Sequence, residues 1–81
     1  MSSELATRVT EIVAERAGQP AKDVKPEHRL REDLGMDSLD LVEMTMELED
    51  EFQMQVPDQE VETIRTVGEV VAYVEGKSQK K

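Results

Sequence analysis

The stretch Asp37-Ser38-Leu39-Asp40-Leu41-Val42-Glu43-Met44-Thr45-Met46-Glu47-Leu48-Glu49-Asp50-Glu51-Phe52 decides how the chain folds. Placed at about 100° per residue, Leu41, Met44, Thr45, Leu48 and Phe52 gather into one arc of roughly 100°, the width of a core-facing helical stripe. Leu39, Val42 and Met46 form a second apolar stripe on the roughly opposite side. Asp40, Glu43, Glu47 and Asp50 flank it on one edge and Glu49 on the other. A helix in a small domain cannot bury both faces within that domain. Scattered exposed apolar side chains are common on protein surfaces, so three of them are compatible with plain surface. Rimmed by carboxylates, they are also what a helix read by another protein presents. Apolar contact supplies affinity, rim charge guides encounter, and Met46 adapts to more than one partner.

Working outward, Leu5, Val9, Ile12 and Val13 recur at helical spacing, with Ser2 or Ser3 available as N-cap and Gly18 placed to end the segment. Residues 19–36 carry Pro20 and Pro26 without a sustained period and read as a long connection pinned by Val24, Leu30 and Leu34. Beyond the central helix, Pro57 marks a turn into a short helical segment through Val61 and Ile64. Thr66-x-x-Glu69 is a capping box that opens a last helix with Val67, Val70, Val71 and Val74 on one face, closed by Gly76. The expected fold is all-α, a small bundle of three main helices plus one short helix with a long loop between the first two. Residues 1–76 form a single domain in this reading, and 77–81, basic and without apolar residues, a disordered tail.

Composition narrows the function. Ten Lys plus Arg stand against 19 Asp plus Glu, a net charge of -9 that opposes attraction to nucleic acid and anionic membranes. The same charge suits partners with basic docking surfaces. The absence of cysteine excludes disulfides and thiolate metal sites, so any thiol chemistry must come from an added group. No stretch approaches the roughly 18 apolar residues of a membrane span, and no signal-like segment opens the sequence. The expectation is a monomer in the cytoplasm, or in an organelle after removal of a transit segment. His28 is the single imidazole and has no His or Cys partner, which leaves it a solvated loop residue. No EF-hand loop occurs, and no metal site is expected.

Ser38 stands at the start of the central helix in Leu34-Gly35-Met36-Asp37-Ser38-Leu39-Asp40. The first backbone N–H groups of a helix are unpaired and favour an attached phosphate, although a serine there is more often a cap or first-turn residue. The surroundings are not those of a nucleophile elbow, so no catalytic residue is assigned. The run 33–40 resembles the modification motif of the acyl carrier protein family. The resemblance extends through Val42-Glu43, Leu48-Glu49-Asp50-Glu51-Phe52, Val56-Pro57-Asp58 and Thr66-Val67 to Tyr73, and length and charge are similar to the discrete bacterial type of fatty acid synthesis.

The resemblance implies that a phosphopantetheinyl transferase, with magnesium held mainly on the transferase, moves phosphopantetheine from coenzyme A onto Ser38. The arm would then hold fatty acyl chains as thioesters while synthase enzymes and acyltransferases act on them. It further implies a recognition surface of Asp37, Leu39, Asp40, Val42, Glu43, Met46, Glu49 and Asp50, and an acyl pocket walled by Met44, Leu48, Phe52, Val61 and Ile64. Met36 and Val61 stand where the family commonly has alanine, Leu30 where an aromatic is frequent, and Arg65 in a loop often uncharged or acidic. Carriers for polyketide, peptide or another dedicated acyl pathway share the motif. An unmodified helical interaction module is the reading outside the carrier class.

Overall fold

Val9, Ile12 and Val13 are fully buried and Ala14 nearly so, and their spacing makes one face of helix α1, Glu4–Ala17, the spine of the core. The computed structural model describes residues 4–78; the expected N-cap at Ser2 or Ser3 lies outside them. Gly18 ends α1 at φ 73, and Gln19 N–H reaches back to Ala14 O at 3.0 Å while Gly18 N–H donates to Glu15 O. This is a glycine C-cap of the Schellman kind, in which a side chain at that φ would be strained.

After a short 3-10 turn, Ala21–Asp23, the long connection folds back over the core. Val24, Leu30 and Leu34 are buried as expected, and Met36 is buried with them. The connection is also bound by its backbone. Leu30 N–H donates to Arg65 O at 2.8 Å, Val67 N–H to His28 O at 3.0 Å, and Gly68 N–H to Pro26 O at 2.9 Å. His28 Nδ1 accepts from Lys25 N–H at 3.0 Å, so the imidazole serves the loop itself.

Helix α2, Ser38–Phe52, buries Leu41, Met44, Thr45 and Leu48. The opposite stripe stays in solvent, with Leu39 63%, Met46 60% and Val42 50% exposed. The chain leaves α2 through Gln53 in the left-handed region at φ 54. Helix α3, Asp58–Val61, is shorter than the sequence suggests. Pro57 is its cap, and Ile64 falls in the following turn, where it packs against the core.

Helix α4, Val67–Ser78, opens with the expected box: Glu69 N–H donates to Thr66 Oγ1 at 3.2 Å and Thr66 N–H to Glu69 Oε1 at 3.1 Å. Gly76 does not close it. Its backbone stays helical, and the next residue, Lys77, places Nζ 5.4 Å from the ring centroid of Tyr73, one turn earlier. The tail read as disordered from 77 therefore begins in helix, while 79–81 lie outside the described residues. Helix α1 packs against both α2 and α4, and the described residues form an all-helical bundle with three longer helices and one short one. No described helix is long and apolar enough to cross a membrane.

Candidate functional site

The approach to Ser38 is a chain of local hydrogen bonds. Asp33 Oδ2 accepts from Arg29 N–H at 2.7 Å, and Leu34 N–H and Gly35 N–H close turns onto Arg29 O and Arg31 O. The Arg29 backbone amide, and after it the guanidinium, hold the Asp33 carboxyl below its ordinary range. Gly35 sits at φ 71, and Met36 N–H then returns to Leu30 O at 3.0 Å. These turns bury Leu30, Leu34 and Met36 inward and bring Arg31, between them, back over the start of α2.

Asp37 is the N-cap. Its Oδ1 accepts from Asp40 N–H at 2.9 Å, and Asp40 Oδ2 accepts from Asp37 N–H at 3.2 Å, a reciprocal box built from two aspartates. Ser38 is thereby released from capping. It is an exposed first-turn residue whose Oγ accepts from Arg31 Nη2 at 3.2 Å. Arg31 is a cation that cannot take the hydroxyl proton, so the chain supplies Ser38 with no general base through this contact.

From Ser38 an open groove runs between α2 and α3 past Arg31, Val42, Thr45, Met46 and Val61. Behind it, Met44, Leu48, Val61 and Ile64 line a nearly closed space with Leu30 and Tyr73. Its volume of about 10 Å³ is room for about one water molecule. Phe52, read as a wall of the same pocket, is not there. It is the last residue of α2, where the helix faces the start of α1, and it lines a surface cleft with Leu5, Arg8 and Glu51. Tyr73 closes the other side. Its hydroxyl donates to Glu60 of α3, and burial first, then that carboxylate, pushes the phenol up to about 12.

The carboxylate rim is less free than the helical wheel suggests. Arg16 of α1 pairs with Glu43 at 3.0 Å through Nη1 and with Glu47 at 3.3 Å through Nε. The second contact is close but poorly aligned, an ion pair without a hydrogen bond. Glu49 Oε2 accepts from Val56 N–H at 2.8 Å, which ties α2 to the turn before α3. Asp40 is in the cap, and Asp50 is exposed. Helical periodicity carries no signal for Arg16 or Arg31, since each meets α2 only through tertiary folding. The Asp37-x-x-Asp40 box has the local spacing of a capping signal, but with aspartate at both ends in place of the usual Ser or Thr and Glu or Gln.

Among the described residues no group of three or more His, Cys, Asp or Glu is arranged to hold a metal ion. The family described as the phosphopantetheine attachment site matches residues 7–74. Among solved structures, the acyl carrier protein of Enterococcus faecalis superposes with a TM-score of 0.78 at 33% identity, covering 93% of this chain and 95% of that one. The family match spans α2 and most of α1 and α4, and the superposition extends over nearly all of both chains. The exposed serine in the first turn of α2 and the groove leading from it lie inside the matched region, and the chain belongs to the acyl carrier protein family, non-catalytic carriers of a phosphopantetheine arm.

Proposed function

We propose that this chain carries growing fatty acyl groups in cytoplasmic fatty acid synthesis, on a phosphopantetheine arm joined to Ser38 Oγ. The single observation that carries the reading is the state of that hydroxyl. It is exposed, in the first turn of α2, free of capping duty, and at the mouth of an open groove whose walls mix Leu41, Val42, Met46 and Val61 with charged side chains. In the modification the Oγ–phosphorus bond forms as the adenosine bisphosphate part of coenzyme A departs, and the transferase removes the hydroxyl proton. When bound, the arm supplies the thiol that a chain without cysteine lacks, and that thiol takes the acyl group as a thioester.

The chain's own residues present and shelter. Leu39, Val42 and Met46 form the apolar centre of a docking face, with Asp37, Asp40, Glu43, Glu49 and Asp50 around it for the transferase and synthase enzymes. Met44, Leu48, Val61 and Ile64 are walls for an acyl chain once the space between them widens.

Incubation with coenzyme A, magnesium and a broad-specificity phosphopantetheinyl transferase should add one phosphopantetheine by intact mass. Ser38→Ala should abolish the addition, and a thiol reagent should find nothing before it and one thiol afterwards. Purified fatty acid synthase enzymes should then extend malonyl-derived chains on the holo form. Failure of modification sinks the Ser38 assignment. Modification without elongation moves the chain to another acyl pathway.

A further inference from the structure

We infer that Arg31 is a positioning residue for the arm, holding its phosphodiester beside the start of α2; this rests on Ser38 being the attachment point. The sequence credits the helix N-terminus with that task, but much of that terminus is already used. Asp37 Oδ1 takes Asp40 N–H and Asp40 Oδ2 takes Asp37 N–H, leaving the amides of Ser38 and Leu39. The same cap places two carboxylates in the first turn, so a phosphodiester on Ser38 adds a third anion to a crowded end. A cation at that point offsets the repulsion.

Arg31 is the cation in position to do so. Arg8 pairs with Glu11 and Glu51, Arg16 with Glu43 and Glu47, and Arg29 with Asp33. Among the described residues Arg31 makes no ion pair, and its hydrogen bond goes to Ser38 Oγ at 3.2 Å. That oxygen becomes the ester oxygen of the arm, and the non-bridging phosphate oxygens lie two bonds beyond it, across the phosphorus. The guanidinium reaches them by a rotation of its own side chain, and its planar fork suits a phosphate better than an ammonium does. Arg31 also lines the groove that leads from Ser38 toward Val61, so the clamp turns the arm toward α3 and away from open solvent.

The test compares apo and holo forms of the full chain as wild type, Arg31→Ala, Arg31→Lys and Arg31→Glu. Intact mass first shows whether each protein is modified on Ser38. Modification at another residue, or none in the wild type, overturns the attachment reading and the role of Arg31 with it. With modification in hand, the Arg31 Nε–H resonance of the wild type should move on conversion to holo. The phosphorus resonance should differ between wild type and Arg31→Ala.

Because Arg31 is exposed, the apo forms should melt within about 2 °C of one another. Holo Arg31→Ala should melt about 2–4 °C below its apo form at low salt, where wild type shows no such loss, and the gap should close at high salt. Arg31→Glu should widen the loss, and Arg31→Lys should restore part of it. An apo-to-holo shift that is the same in wild type, Arg31→Ala and Arg31→Glu, with the Nε–H resonance unmoved, overturns the proposal.

Discussion

Two connections flank α2, and they are built to opposite specifications. The one before it, residues 18–37, buries Val24, Leu30, Leu34 and Met36 and exchanges backbone hydrogen bonds with the start of α4. The one after it, residues 53–66, buries only Val56 fully, and none of the four residues of α3 is buried. The first is part of the core despite having little regular structure. The second has a helix and little core. Regular structure and stability are therefore separate properties here, because helical stability in a protein comes mostly from packing an apolar face. The difference also separates a fixed from a loosely held wall of the space behind the groove. Leu30, on one wall, is locked from both its side chain and its backbone, whereas Val61 and Ile64, on the other, sit on the lightly held segment. On the proposed reading, an acyl chain enters by displacing α3.

The largest effect expected from breaking this contrast is at Leu30. Leu30→Ala should cost about 2–5 kcal/mol in urea unfolding, and Ile64→Ala, half-buried on the other connection, about 1–2 kcal/mol. Equal losses would erase the distinction.

Tyr73→Phe should come next. Loss of its bond to Glu60 should cost about 1 kcal/mol and loosen α3, and amide exchange in 58–64 should rise more than in 24–36. The same phenol sets an alkaline limb. Its folded value of about 12 lies above the ordinary value near 10, so its contribution is whole below about pH 10 and lost as pH rises toward 12. The melting temperature of the wild type should fall through that window, and Tyr73→Phe, which removes the single tyrosine, should flatten the fall.

On the acid side the sign reverses. Asp33 and Glu69 are held below their ordinary values mainly by backbone amides, of Arg29 and of Arg65 and Thr66. Their stabilisation is present above the unfolded carboxyl range and lost as pH falls through the folded one. Glu69→Gln should therefore reduce the acid sensitivity of the loop-to-α4 junction, read as melting temperature below about pH 5.

The smallest effect on folding should come from Val42→Ala with Met46→Ala. Both side chains are exposed, so unfolding should shift by no more than about 0.5 kcal/mol, while dissociation from the transferase quickens. A folding loss as large as that of Leu30→Ala would mean the stripe is packed, and the docking face lies elsewhere.

What could be read before folding was whatever helical period encodes. The two faces of α2 separated correctly because Leu41, Met44, Thr45 and Leu48 repeat at helical spacing, and the box at Thr66 and Glu69 is a local pattern. Phe52 departs from the expected pocket for a related reason. Angle on a wheel ignores height along the axis, and at the last residue of α2 the neighbour is α1. Met36, at a position where the family commonly has alanine, is a core side chain delivered by the Gly35 turn. Arg16, Arg31 and the Glu49 bond to Val56 join residues that no periodicity relates.

Arg16 gives Glu43 and Glu47 a history before any partner arrives. A basic group approaching Glu43 does not meet a bare carboxylate; it exchanges places with a guanidinium already there. The gain is the difference between two ion pairs, each worth little at a surface, so it is small and quickly reversed. On the proposed reading, in which several enzymes dock on this face, an exchange between near-equal ion pairs lets each partner release the carrier as readily as it captures it.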